Sequence, residues 1–248
     1  VVPGTAYGDA CNVGAARALK HVVRVPVMVV GRIHDPRIAE GVLRRGEADL
    51  VVMGRPLLAD PELPAKARAG RFADVRRCIS CETCIDSMAR GEMHCAINAA
   101  AGREGRLSRG PAPRRKRLLV VGGGPAGLEA ARVAALRGHE VMLYERDRRL
   151  GGAFTLASAT HADNQHFLDY LVRSVRALPV RVHLGEAVTP AVVAALAPDA
   201  VIVATGGKVV VPAVPGDGLP HVRTATRLRA MLSGAMADGP VGAMGPWQ

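Results

Sequence analysis

The chain is poor in aromatic residues, which make up 3% of its 248 positions with a single tryptophan among them. No apolar run approaches the roughly 18 to 20 residues that a membrane-crossing helix needs. The first thirty residues lack the charged, apolar and small-residue blocks of a secretory signal, so a cytoplasmic location is expected. No internal repeat occurs at solenoid spacing, and no low-complexity tract lies outside one basic stretch. What is present suffices for folding. With 49% hydrophobic and 22% charged residues, disorder throughout is excluded, and one large core or two smaller ones can be built. Cysteine is also scarce, at five residues, and in a reducing compartment these are free thiols or metal ligands rather than disulfides.

Acidic residues are the scarcer charge: 22 Asp and Glu face 33 Lys and Arg, for a net charge of +11. Such a surplus would suit nucleic acid or an anionic membrane. Much of it is local, however. Arg103, Arg106, Arg109, Arg114, Arg115, Lys116 and Arg117 are opposed only by Glu104, and Gly102, Gly105, Gly110, Pro111 and Pro113 lie among them. That glycine and proline spacing prevents a stable basic helix, and no aromatics interleave for base stacking. The stretch reads as a solvated inter-domain linker, and neither nucleic acid nor a membrane is expected as a partner.

The chain divides at this linker. Before it, residues 25–30 (VPVMVV) form a short β-branched apolar run suited to a strand buried on both faces. Gly31-Arg32 closes the run. Asp35-Pro36 then offers an N-cap with proline at the first helical position, and residues 37–45 read as a helix ending at Gly46. Residues 49–53 (DLVVM) repeat the pattern: Gly54-Arg55 follows, and Asp60-Pro61 opens a helix ending near Gly70. Two βα units in tandem signify a parallel sheet or barrel. A βα barrel needs eight such units, and about 72 residues precede the cysteines, so an excerpt of a longer protein is expected. Beyond the linker, residues 117–121 (RLLVV) read as a strand, 125–137 as a helix and 140–145 (EVMLYE) as a second strand; 199–204 (DAVIVA) form another.

Two motifs carry chemistry. Gly122-Gly123-Gly124-Pro125-Ala126-Gly127 satisfies G-x-G-x-x-G between a strand and a helix. Gly122 permits the tight turn, Gly124 lets the backbone approach a pyrophosphate, and Gly127 lets the helix pack close to the sheet; the helix N-terminus supplies unpaired N–H groups. Glu145 ends the second strand 18 residues after Gly127, where a carboxylate can accept hydrogen bonds from an adenosine ribose. The position and type of Glu145 favour FAD, ADP or NAD over NADP. The second motif, Cys78, Cys81, Cys84 and Cys95, has the spacing C-x2-C-x2-C-x10-C. Four thiolates so close hold zinc or an iron–sulfur cluster. Zinc sites usually come as two C-x2-C pairs, whereas three cysteines at successive x2 intervals suit the loop around a 4Fe-4S cluster. Cys11 is a bystander thiol, and His94 is placed near the cluster rather than on it. The two Gly-Arg strand ends complete the set, since in a βα barrel a cofactor phosphate lies over the loops after strands seven and eight.

Together, VPVMVVGRI, GEADLVVMGRPLLADPEL, CISCETCIDSMARGEMHCAIN and LLVVGGGPAGLEAA resemble the long form of the NADH:flavin oxidoreductases related to old yellow enzyme. That form includes 2,4-dienoyl-CoA reductase and trimethylamine dehydrogenase. The resemblance implies an α/β chain with three parts: the last two βα units of a TIM-type, FMN-binding barrel (residues 1–72), an iron–sulfur loop with the basic linker (73–116), and a Rossmann-like FAD- or ADP-binding domain (117–248). It places FMN phosphate at Gly31, Arg32, Gly54 and Arg55, and a 4Fe-4S cluster on Cys78, Cys81, Cys84 and Cys95. The adenine nucleotide is placed at Gly122, Gly124, Pro125, Ala126, Gly127, Glu145 and Arg146, with later contacts at Leu150-Gly151-Gly152 and Ala204-Thr205-Gly206.

The implied activity is an oxidoreductase passing electrons among FMN, the cluster and FAD, or on to a bound ADP site or an external acceptor. The implied substrate is an enoyl or dienoyl thioester or a methylated amine. The x2-x2 cysteine spacing and Asn98-Ala99-Ala100-Ala101-Gly102 look like the amine dehydrogenases. No catalytic residue is assigned, because the family's substrate-binding strands are not in this sequence, and the isolated chain is expected not to turn over. No second G-x-G-x-x-G follows Gly207 through residues 245–248, so a nicotinamide site, if NAD(P)H is used, is expected elsewhere. Two other readings stand beside this one: an electron-transfer subunit similar to the small subunit of glutamate synthase, which leaves the Gly-Arg pairs unexplained, and a zinc-stabilised nucleic-acid-binding module.

Overall fold

A computed structural model describes residues 2–107, 110–207, 210, 213–216, 219 and 221–222. Arg109 of the basic linker and residues 245–248 lie outside the described residues. The chain falls into two compact units, Val1–Ser108 and Arg109–Gln248.

In the first unit, helix α1 (Val13–Lys20) precedes strand β1 (Met28–Val30), helix α2 (Pro36–Arg44) and strand β2 (Leu50–Val52). The strands pair in parallel, Met28 with Leu50 through Val30 with Val52. Asp35 caps α2 by accepting the Arg37 N–H, with Pro36 at the first position, as the Asp-Pro pair predicts. Helices α3 (Gly54–Ala59) and α4 (Leu63–Arg68) follow β2, then a 3-10 turn at Phe72–Asp74 and helix α5 (Thr83–Met88). After α2 and α4 the chain turns at Gly46 and Gly70, both with positive φ, and the N–H groups of 46 and 47 and of 70 and 71 return to the last carbonyls. This is the paired helix-ending bond that glycine permits.

Two expectations need correction here. The sequence pointed to one helix after Asp60-Pro61, but a separate helix begins at Gly54, directly off β2. And β1 is not buried on both faces: Val29 is 2% exposed, whereas Met28 and Val30 are 65% and 55% exposed. Val29 packs with Val13, Ala16, Val27, Ile33, Val42 and Ala48, while among the described residues no layer covers the other face. A continuous apolar run does not say how many layers will cover it, because a strand's two faces are filled independently.

The second unit alternates β3 (Arg117–Val121), α6 (Pro125–Leu136), β4 (Glu140–Glu145), α7 (Phe154–Thr160), α8 (Ala162–Arg176), β5 (Val180–Leu184), α9 (Pro190–Leu196) and β6 (Ala200–Val203). Its sheet has the order β5-β4-β3-β6, all parallel. In order of appearance within this unit that is 3-2-1-4, the arrangement of a dinucleotide-binding half. Leu119, Met142 and Tyr144 pack with Val193 and Leu196 of α9 on one face. Helix α6 packs on β3 and β4, and α8 packs on α6. The buried Leu128, Leu143, Leu171 and Val175 are at most 1% exposed, each contributing about 1.5–3 kcal/mol by burial. The reversal of strand order beside β3 opens a crevice at the carboxyl ends of the strands, where such folds take ligands.

Candidate functional site

In the second unit the glycine-rich turn leads from β3 into α6. Gly122 has φ +110, and a Cβ there would lie 2.3 Å from the Ala204 carbonyl oxygen; on Gly127 it would lie 1.8 Å from the Gly122 oxygen. Strand, turn and helix therefore touch backbone to backbone. Gly124, by contrast, has nothing within 4 Å of a Cβ position except backbone at 4.0 Å, leaving its Cα open to the crevice.

That crevice is a cleft of about 550 Å³, a size suited to a nucleotide. Gly122, Gly124, Pro125, Ala126, Glu145, Arg146, Gly152, Thr205 and Gly206 all line it. Gly127 does not; it serves helix packing. Glu145 is 4% exposed. Its Oε2 accepts the Gly123 N–H at 2.6 Å and its Oε1 the Asp147 N–H at 2.9 Å. Each oxygen keeps a lone pair for a ribose hydroxyl, and two N–H donors hold the carboxylate in place before any ligand arrives. Gly151 N–H donates to the Gly123 oxygen at 2.8 Å, tying the Leu150-Gly151-Gly152 segment to the same turn.

The wall formed by Glu186, Ala187 and Val188 was missed by the sequence reading. It follows β5, and the Glu186 N–H donates to the Glu145 carbonyl at 3.0 Å. The available signals were the VRVHL alternation, Gly185 and the Thr189-Pro190 helix start. Next to it, Tyr144 stacks on His183 with centroids 4.2 Å apart, and Tyr144 lines the cleft.

In the first unit the two predicted phosphate arginines lie on neighbouring strand ends. Arg32 is 7% exposed with φ +47. It donates to the Gly4 carbonyl and pairs with Asp9, both at 3.2 Å. Arg55 donates to the Pro3 carbonyl at 2.7 Å. Its Nη1 is buried without a hydrogen-bond partner, and the nearest carboxylate oxygen, of Glu82, is 4.0 Å away. Both guanidiniums thus anchor the segment that holds Pro3 and Gly4, and Arg55 retains one buried donor.

The cysteine loop packs in this same unit. Arg77 pairs with Asp35. The Arg76 N–H donates to Asp60 Oδ2 at 2.8 Å, and its side chain donates to the Ala59 carbonyl and to Asn98 Oδ1. These bonds lock the arm before Cys78 to both βα units. Helix α5 carries Cys84, and the fully buried Ser87 joins it to the last cysteine: its Oγ donates to the Cys84 carbonyl and accepts the His94 N–H, both at 3.0 Å. His94 faces Glu92 at 2.7 Å.

Burial pushes the Cys78 thiol up to about 11, opposed by the Ser80 N–H and by Arg55; the Cys95 and Cys81 charges push the same way as burial. Burial also raises Cys84, with Cys95 and Cys81 acting on it and Arg55 opposing. Among the described residues, no three His, Cys, Asp or Glu side chains gather as a single ion requires. Four cysteine sulfurs are the donor chemistry an iron–sulfur cluster takes, and zinc accepts the same donors.

Comparison with known proteins bears on both units. The model of the NADH:flavin oxidoreductase / NADH oxidase family matches residues 9–74. That of the pyridine nucleotide-disulphide oxidoreductases matches residues 87–191 and 116–237. The chain belongs to the NADH:flavin oxidoreductases related to old yellow enzyme. Members of this family similar to it include the NADH oxidase of Thermoanaerobacter brockii, 44% identical over 81% of this chain and 32% of that protein. The N,N-dimethylglycine/sarcosine dehydrogenase of Chromohalobacter salexigens is 37% identical over 96% of this chain and 36% of that protein. Among solved structures, a 2-naphthoyl-CoA reductase in complex with 2-naphthoyl-CoA superposes with a TM-score of 0.83 at 29% identity, covering 96% of this chain and 37% of the other. The chain thus spans about a third of the length of these relatives. The family is one of flavin-dependent oxidoreductases, and none of the described helices is long and apolar enough to cross a membrane.

Proposed function

We propose that the chain forms the electron-transfer portion of a flavin- and iron–sulfur-dependent oxidoreductase. In this reading Gly31, Arg32, Gly54 and Arg55 receive the phosphate of FMN. Cys78, Cys81, Cys84 and Cys95 hold a 4Fe-4S cluster, and the cleft at Gly122, Gly124, Glu145 and Gly206 holds the ADP part of FAD or ADP itself. Bound together, the groups would let a two-electron flavin exchange electrons with a one-electron cluster. The observation that supports the reading is the position of Arg55: its Nη1 is buried without a hydrogen-bond partner and lies 4.0 Å from Glu82 of the cysteine loop, so a strand-end arginine borders that loop with a donor left over.

The remaining residues bind and orient. Glu145, preset by two N–H donors, selects a ribose with free hydroxyls, because a ribose phosphate would meet its negative charge. The first turn of α6 offers N–H groups to a pyrophosphate. Two relatives name the substrate classes to test, a thioester reductase and a methylated-amine dehydrogenase; an enoyl or dienoyl thioester or a methylated amine is the proposed substrate, with an external acceptor as partner.

The test is compositional. Protein purified under anaerobic conditions should be brown, carry iron and acid-labile sulfide in a ratio near that of a 4Fe-4S cluster, and release an adenine nucleotide on acid treatment. A colourless protein loaded with zinc would overturn the reading.

A further inference from the structure

The turn between Cys78 and Cys84 is held in an unusual backbone conformation. Ser80 has φ +51 and Glu82 φ +59, the left-handed region that non-glycine residues rarely occupy. Such a conformation persists where surrounding contacts over-determine it. At Ser80 the contact is His34: its Nε2 lies 2.8 Å from Ser80 Oγ across 46 positions of sequence. Both residues are buried, at 4% and 2% exposure. His34 lies two residues beyond Arg32, on the loop leaving β1. The bond therefore ties the first Gly-Arg strand end to the cysteine loop.

The conformation has a chemical consequence. With Ser80 turned this way, its N–H donates to Cys78 Sγ at 3.4 Å. Hydrogen bonds to ligand sulfur are among the factors that set an iron–sulfur reduction potential. A donor aimed at the sulfur favours the more negatively charged, reduced state and so raises the potential.

We infer that His34 is a positioning residue for the cysteine loop: by holding the Ser80 hydroxyl it maintains the N–H bond to Cys78 and thereby raises the reduction potential of the cluster bound there. The inference rests on the iron–sulfur reading above. His34 itself touches no ligand sulfur and acts through the Ser80 turn.

The test compares wild type with His34→Phe, Ser80→Ala and Ser80→Gly, all purified under anaerobic conditions. For each, iron and sulfide per chain, the midpoint potential from a redox titration followed by electron paramagnetic resonance, and the melting temperature are measured. His34→Phe and Ser80→Ala should keep their cluster but move its potential to more negative values. Ser80→Gly lacks the hydroxyl, yet glycine adopts positive φ freely; it should hold the N–H in place and keep a potential close to wild type. That rescue separates control of the turn from a general loss of packing. Wild-type potentials in His34→Phe and Ser80→Ala would overturn the inference, as would equal shifts in Ser80→Ala and Ser80→Gly. Should His34→Phe fail to fold, the two Ser80 variants decide the matter. Absence of iron and sulfide from the wild-type protein would overturn the cluster reading itself, a failure distinct from unchanged potentials in loaded protein.

Discussion

The Gly123 N–H donates to Glu145 Oε2 at 2.6 Å, joining the glycine-rich turn to the residue that ends β4. The carboxylate holds the turn while lining the cleft, and in the proposed reading it also meets the ribose. Glu145→Ala removes a charged acceptor from a buried N–H, a loss of about 1.5–3 kcal/mol. ADP binding measured by calorimetry should weaken roughly 10- to 100-fold. Glu145→Gln keeps an acceptor oxygen and should fall between the two.

Gly127→Ala places a methyl 1.8 Å from the Gly122 carbonyl oxygen. Backbone lies on both sides, so β3 and α6 must separate. Overpacking of this kind costs about 1–3 kcal/mol. A fall in melting temperature together with loss of bound nucleotide is expected, although Gly127 does not line the cleft.

Ser87→Ala deletes a fully buried hydroxyl that serves the Cys84 carbonyl and the His94 N–H. Leaving a part-buried N–H unpaired costs about 1–3 kcal/mol, and the segment carrying Cys95 loses one of its ties to α5, the bond from the Glu92 N–H to the Ser87 carbonyl remaining. Iron per chain should fall in anaerobically purified protein, while binding of ADP, which belongs to the other unit, should not change.

Asp35 contributes to the acid sensitivity of the first unit. Burial works against its charge, but the hydrogen bonds from Arg37 and the charges of Arg77 and Arg37 hold its carboxyl below the ordinary aspartate value of 3.8. A folded-state value below the unfolded one means that the contribution is complete above pH 3.8 and is lost as pH falls below it, through the folded-state value. Urea unfolding of wild type should weaken in that window. Asp35→Asn, which preserves an N-cap but not the ion pairs, should be less stable than wild type at neutral pH, and the difference should shrink in acid.

Several features were legible in the sequence because they depend on neighbouring residues. The Asp35-Pro36 helix start, the helix ends at Gly46 and Gly70, and the β3-turn-α6 unit are local choices of backbone conformation, written by proline and glycine. Helices α7, α8 and α9 and strand β5 went unread, although Thr189-Pro190 and the apolar run 191–197 (AVVAALA) mark α9 and the VRVHL alternation marks β5; with them went the Glu186, Ala187 and Val188 wall of the cleft.

The sequence by itself determined which residues could do chemistry: the thiols at short spacing, the open glycine at 124, and the acid at 145, all from covalent order and side-chain type. Tertiary structure decided how they are held. Arg55 meets the Pro3 carbonyl across 52 positions, Arg32 meets Gly4 across 28, and His34 meets Ser80 across 46. Such partners are chosen by packing of distant segments, where a buried polar group must find whichever donor or acceptor the fold brings near it, and local pattern carries no record of that choice.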